Sequence, residues 1–161
     1  MRKVSSALLL TLLAVAPAVA HAQAAARPDF SGTYVLDPAQ SEGQRIPQKM
    51  TLKIAQTPAG ITLDRTQTTQ AGETTTQMKY ALDGTASKNT MTMGGNPIDV
   101  STVVTWEGPA AVLTNSMKFG DNDVQTVEKW SLADAGKKLT IDRKFNMGGQ
   151  EFATKLVLAK Q

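Results

Sequence analysis

The sequence predicts an all-β fold: an antiparallel up-and-down β-barrel of about 8–10 strands, with a β-sandwich as the alternative. Short segments that alternate apolar and polar residues recur about every 10 to 14 residues from Gly32 to the C-terminus. Gly, Asp or Pro turns separate them, and no stretch shows a 3.6-residue period. Strands linked one after another by hairpins favour up-and-down order, and rolling the sheet closed pairs the two strands that would otherwise be its edges.

Taken in order, Thr33 to Asp37 is the first strand, and the polar, proline-bounded stretch Pro38 to Pro47 is a loop or short helix capping one barrel end. Met50 to Ile54 alternates strictly, and Thr57-Pro58-Ala59-Gly60 turns the chain into Ile61 to Arg65. The Thr-rich run from Thr66 to Thr76 suits a pleated, half-wet surface, with Ala71-Gly72 as its turn before Thr76 to Leu82. Asp83-Gly84 closes the next hairpin, since Asp-Gly tolerates the positive φ of a tight turn. Met91 to Met93, Val100 to Trp106, Val112 to Phe119, Val124 to Leu132, Leu139 to Phe145 and Phe152 to Leu158 complete the strands. Their joints are Gly94-Gly95, Glu107-Gly108-Pro109, Gly120 to Asp123, Asp134 to Lys137 and Gly148-Gly149.

Ahead of the barrel, Arg2 and Lys3 begin a segment with a signal peptide's anatomy. Val4 to Val15 is its apolar region, and Ala20-His21-Ala22 sets small residues at a cleavage site between Ala22 and Gln23. A transmembrane anchor needs about 20 apolar residues, whereas this run is interrupted at Pro17. The expected organisation is therefore a signal peptide over residues 1–22, an N-terminal extension over 23–31 and one barrel domain over 32–161. The protein is expected to be periplasmic or secreted without a membrane anchor, its export partners being the export machinery and signal peptidase. A domain of this size buries enough surface to fold without disulfides, consistent with the absence of cysteine. Removing Arg2 and Lys3 takes two of the 17 basic residues and brings the charge close to balance with the 14 acidic ones. No basic stripe with interleaved aromatics points to nucleic acid.

Residue types exclude most chemistry. The only histidine, His21, lies in the leader, so the processed chain lacks the usual general base, the commonest metal ligand and any thiol. No Gly-x-Ser-x-Gly elbow occurs, a Ser/His/Asp set is impossible, and no carboxylate pair stands out, so we expect no catalytic residues, no cofactor and no metal. Asp121-Asn122-Asp123 lacks the spaced carboxylates of a calcium loop and reads as a hairpin turn. Met78, Met91, Met93, Met117 and Met147 read as adaptable core filling, with no His or Cys beside them to hold copper.

Asp29-Phe30-Ser31-Gly32-Thr33-Tyr34-Val35-Leu36, with Ser41 after it, resembles the opening of small exported bacterial proteins with a lipocalin-like domain. Glu128 to Leu132 and Lys138 to Ile141 resemble their closing Trp-Ser-Leu, turn, Leu-Thr-Ile hairpin. The resemblance implies a calycin-type barrel with capacity for small apolar ligands, and a basic residue packed over the first-strand aromatic, here Arg143 on Tyr34. It departs from the lipocalin pattern where Gly-x-Trp is Gly32-Thr33-Tyr34.

Alternation also assigns an inward face. If Leu63, Tyr80, Val104, Trp130, Ile141 and Phe145 point inward, so do Arg65, Glu128 and Arg143. Inward charges are costly unless paired, and two arginines against one glutamate leave a guanidinium fork for an anionic head group. The plainer alternative is an internal ion pair, or charges near the open ends that reach water. The expected ligand-facing set is Arg65, Tyr80, Trp106, Glu128, Trp130 and Arg143. The expected function is non-catalytic binding of a small hydrophobic or anionic amphipathic molecule, against the alternative of a cell-envelope interaction or structural module with a filled barrel. Interior volume separates the two. Intact-mass analysis of the exported protein is expected to show a chain beginning at Gln23, and a retained leader would overturn the compartment.

Overall fold

The computed structural model describes residues 27–161 except Gly94 and Gly148. The leader and its Ala22–Gln23 junction lie outside the described residues. The strands are β1 (Gly32–Leu36), β2 (Glu42–Gly43), β3 (Lys49–Gln56), β4 (Gly60–Thr69), β5 (Gly72–Ala81), β6 (Ser87–Met93), β7 (Asn96–Glu107), β8 (Ala110–Phe119), β9 (Asn122–Ala133), β10 (Lys138–Met147) and β11 (Gln150–Lys160). They form one antiparallel sheet in the order β5-β4-β3-β1-β11-β10-β9-β8-β7-β6, with β2 paired to β11 beside this path. Among the described residues the only helical turn is the 3-10 turn Asp134–Gly136. The architecture is a nearly closed ten-stranded barrel, as the alternation predicts.

Period-two burial is the reason these segments are strands. On β3, Met50, Leu52 and Ile54 are buried while Lys49, Lys53 and Ala55 are exposed. The inward rows of neighbouring strands merge into a single core of Tyr34, Leu36, Leu52, Leu63, Tyr80, Leu113, Trp130, Ile141 and Leu156. Phe30, fully buried, plugs the barrel end where the chain enters, its amide donating to Gln56 Oε1 at 3.1 Å.

Closure is completed by side chains. No backbone ladder joins β5 to β6; Asn89 Oδ1 accepts from the Lys79 amide at 2.7 Å, Asn89 Nδ2 donates to the Lys79 carbonyl at 3.0 Å, and Ser87 Oγ accepts from the Ala81 amide at 2.8 Å. A polar side chain on β6 thus replaces the missing strand-to-strand bonds of β5.

Four local expectations change. Asp83-Gly84 closes no hairpin, because β5 and β6 on either side of it share no ladder. The first strand stops at Leu36 because Asp37 Oδ1 accepts from the amides of Ala39 and Gln40 and turns the chain. Between Pro38 and Pro47 there is no α-helix: β2 lies along β11, Gly43 opposite Thr154. Gly43 has φ of +105°, and a Cβ there would strike the Ala153 backbone, so glycine lets this strand lie close. Asn122 and Asp123 belong to β9, because Phe119 pairs with Asn122 and Lys118 with Asp123, leaving a two-residue turn at Gly120-Asp121.

Replacing Asn89→Ala removes both bridges to Lys79 at a partly hydrated site and is expected to cost about 1 kcal/mol. Hydrogen exchange should accelerate at Lys79 while β9 and β10 remain protected; unchanged exchange at Lys79 would show that the bridges do not hold the seam.

Candidate functional site

Inward residues stack in layers whose order follows from register. At the plugged end Trp106 lies opposite Ala111, Ala111 opposite Trp130, and Trp130 opposite Ile141. One step up, Val104, Leu113, Glu128, Arg143 and Thr154 form a row across β7 to β11. Above it run Thr102, Asn115, Thr126, Phe145 and Phe152, and above these Val100, Met117 and Val124. The interior therefore changes from aromatic packing to charge, to neutral polar groups, and back to apolar surface.

The charged layer is built on Glu128, 3% exposed. Arg65 Nη2 on β4 donates to its Oε2 at 3.1 Å, Arg143 Nε on β10 to its Oε1 at 3.0 Å, and Trp130 Nε1 to its Oε2 at 3.0 Å. Arg143 Nη2 also lies 2.9 Å from Oε1. Burial alone would raise the Glu128 pKa, but the two guanidiniums and the indole outweigh it and hold the carboxyl at about 2. Burial opposes the charge on both arginines. At Arg65 burial is the largest single influence, but the Glu128 charge, Tyr80 and the hydrogen bond to Glu128 together outweigh it and the pKa is raised, whereas at Arg143 burial together with the neighbouring Arg65 charge leaves a lowered value. Two cations against one anion leave this layer net positive. Among the described residues Arg65 Nε is buried without a hydrogen-bond acceptor, and Arg143 Nη2, although ion-paired with Oε1, is not aligned for a hydrogen bond to it.

The remaining expected site residues are divided between this layer and the plug. Tyr80 stands edge-on to Trp130 with centroids 6.4 Å apart, its hydroxyl directed to Met78 Sδ at 2.7 Å, and burial raises its pKa. Trp130 is fully buried and also meets Phe30 edge-on at 6.0 Å. Trp106 sits apart from the charged layer, against Phe30 and beneath the Arg27 guanidinium, which is 4.9 Å from its ring. The structure thus gathers Arg65, Tyr80, Glu128, Trp130 and Arg143 and leaves Trp106 at the plugged end.

Arg143 does not pack on Tyr34. That place is taken by Lys160 of β11, whose Nζ is 5.5 Å from the Tyr34 ring, because β1 pairs with β11 and Tyr34 faces Lys160. A Cβ on Gly32 would collide with the Lys160 stem, so Gly32, Tyr34 and Lys160 act as one unit.

Beyond the neutral polar layer lies an open groove of about 1460 Å3, lined by residues of β5 to β9 that include Ile98, Val100, Met117 and Val124 with Lys79, Lys88 and Lys118. On the other side of the mouth, Arg45 of the β2–β3 segment lies 4.7 Å over the Phe152 ring, which in turn is 6.2 Å from Phe145. The groove, Arg45 and the layer of Thr102, Asn115 and Thr126 escaped the sequence reading. Parity carried upward from Val104 and Glu128 would have found the inward Thr102 and Thr126, but the groove depends on closure.

Linkage fixes the sign of the acid response. The folded Glu128 value of about 2 lies below its ordinary 4.5, so the unfolded chain binds more protons in between and stability rises with pH across that window. Glu128 is expected to contribute about 3 kcal/mol that is fully present above pH 4.5 and lost as pH falls through about 2. Urea titrations across this range should show the loss in the wild type and its absence in Glu128→Gln, which leaves two arginines unpaired and should itself cost about 3–5 kcal/mol.

No protein-family model matches the sequence, and no curated protein matches it. Among solved structures the chain is similar to zebrafish ileal bile acid-binding protein complexed with cholic acid, at 17% identity, 82% of this chain, 98% of that chain and a TM-score of 0.53. It is also similar to secretory abundant heat soluble protein 4 from Ramazzottius varieornatus, at 14% identity, 82% of this chain, 94% of that chain and a TM-score of 0.54. These likenesses are likenesses of fold alone.

Proposed function

We propose that this protein is an exported, non-catalytic barrel that binds a small anionic amphipath, its head group held by Arg65 and Arg143 and its apolar body lying toward the open groove. The observation that carries the reading is the net positive charge of an interior layer in which two guanidiniums share one carboxylate and Arg65 Nε lacks an acceptor among the described residues. A ligand carboxylate would supply an acceptor to Arg65 Nε and balance the charge of the layer. The fold is compatible with the reading, since the similar zebrafish protein is a bile acid-binding one. Export rests on the leader read in residues 1–22 and belongs to the same proposal.

Arg65→Met and Arg143→Met keep most of the stem's packing and leave Glu128 one cation, so folding should survive. Each is expected to weaken binding of a fluorescent fatty-acid probe by about 10-fold or more, since a charged hydrogen bond is worth about 1.5–3 kcal/mol. Equal binding by wild type and both variants, or none by any, would reject the anion site. The second outcome would favour the alternative of an envelope interaction module, which gains its support from the packed plugged end and the exposed Phe119 and Val35 at the surface.

A further inference from the structure

We infer that the layer of Thr102, Asn115 and Thr126 is a second recognition element, selecting an amphipath that carries a hydroxyl or similar polar group partway along its body over one with a plain alkyl chain. The inference rests on the reading of the barrel as a container for an anionic amphipath. It concerns residues that neither the arginine layer nor the plug requires.

The three side chains occupy adjacent register positions on β7, β8 and β9, Thr102 opposite Asn115 and Asn115 opposite Thr126. Thr102 is fully buried, Asn115 is 9% exposed and Thr126 is 8% exposed. Inward residues directly above them, Val100, Met117 and Val124, and directly below on β7 and β8, Val104 and Leu113, are apolar. A wall shaped only for hydrocarbon has no use for a polar band between the charged layer and the apolar row of Val100, Met117 and Val124.

Orientation within the band is set by one bond. Thr102 Oγ1 donates to Asn115 Oδ1 at 2.8 Å, with Nδ2 turned away from Thr102. Neither Asn115 Nδ2 nor Thr126 Oγ1 makes a hydrogen bond to another group among the described residues. The band therefore offers two N–H donors and a hydroxyl one inward step beneath the groove wall formed by Val100, Met117 and Val124. A hydroxyl, which both donates and accepts, suits such a pair; a second carboxylate would find no cation in this layer.

Spacing defines the ligand further. The band lies one inward step, two residues, from the row holding Glu128 and Arg143, and a two-residue step along a strand is about 6.6 Å. The polar group should stand about that far from the carboxylate, as in 6-hydroxyhexadecanoate. The apolar remainder then meets Met117, Val100 and Val124.

The test is competition of hexadecanoate and 6-hydroxyhexadecanoate against the fluorescent fatty-acid probe. It is run on the wild type, on Thr126→Val and on the double variant Thr102→Val/Asn115→Leu, which removes both partners of the internal bond so that neither is stranded. Circular dichroism and thermal melting establish that each variant is folded, and Thr126→Val, which is nearly isosteric, serves if the double variant is not. Wild type should prefer the hydroxylated acid by about 5-fold or more, and the variants should lose that preference while binding hexadecanoate as well as before. Equal binding of the two acids by the wild type, or a preference that survives in the folded variants, overturns this inference and leaves the arginine site standing. Failure of the wild type to bind either acid overturns both.

Discussion

The interior is organised around one carboxylate. Glu128 draws Arg65 from β4 and Arg143 from β10 to a single point and fixes the Trp130 indole beneath it. β4 and β9 share no ladder, so the Arg65–Glu128 contact spans the barrel's interior rather than the sheet's hydrogen-bonded surface. A charge taken from water in this way is tolerable only when its partners are oriented in advance, and here the sheet register orients Arg143 while packing against Tyr80 and Trp130 confines the rest. Much of what distinguishes the two barrel ends follows from this: aromatic residues close in on the indole side, while the cationic side faces the mouth.

The opposed ends are built differently. Phe30, Trp106 and Trp130 fill the first with aromatic side chains, and Arg27 caps it, its Nη1 donating to the Leu82 carbonyl at 2.9 Å. At the second, the covering segment is short: β2 and Arg45 rest on β11, and the groove is left open beside them.

Much of this was legible in the chain because strand parity is a local property. Arg65 stands two residues after Leu63, Arg143 two after Ile141 and Glu128 two before Trp130, so each charge inherits the face of an apolar neighbour. What parity does not contain is which strands meet across the barrel. Lys160 covers Tyr34 only because β1 is inserted between β3 and β11, and no local pattern distinguishes Lys160 from Arg143 for that place. The seam was hidden for a related reason. Asn89 precedes the Met91 to Met93 segment that the sequence marks as a strand, and only the divergence of β5 and β6 shows its amide taking over backbone bonding. Turn lengths misled at Asn122 and Asp123, where polar composition suggests a loop but cross-strand pairing extends the ladder to the tip.

Both tryptophans touch Phe30, yet they lie in opposite electrostatic surroundings: a guanidinium stands over the Trp106 ring, and a carboxylate accepts the Trp130 N–H. Indole excited states carry a displaced dipole, so these two fields act differently on the emission of the two rings. Trp130 is coupled through Glu128 to the arginine layer, whereas Trp106 answers to the seal made by the N-terminal segment. The molecule therefore contains two intrinsic optical probes, one for the charge state of its interior and one for the integrity of its plugged end, and replacing either tryptophan singly would separate their signals without an added dye.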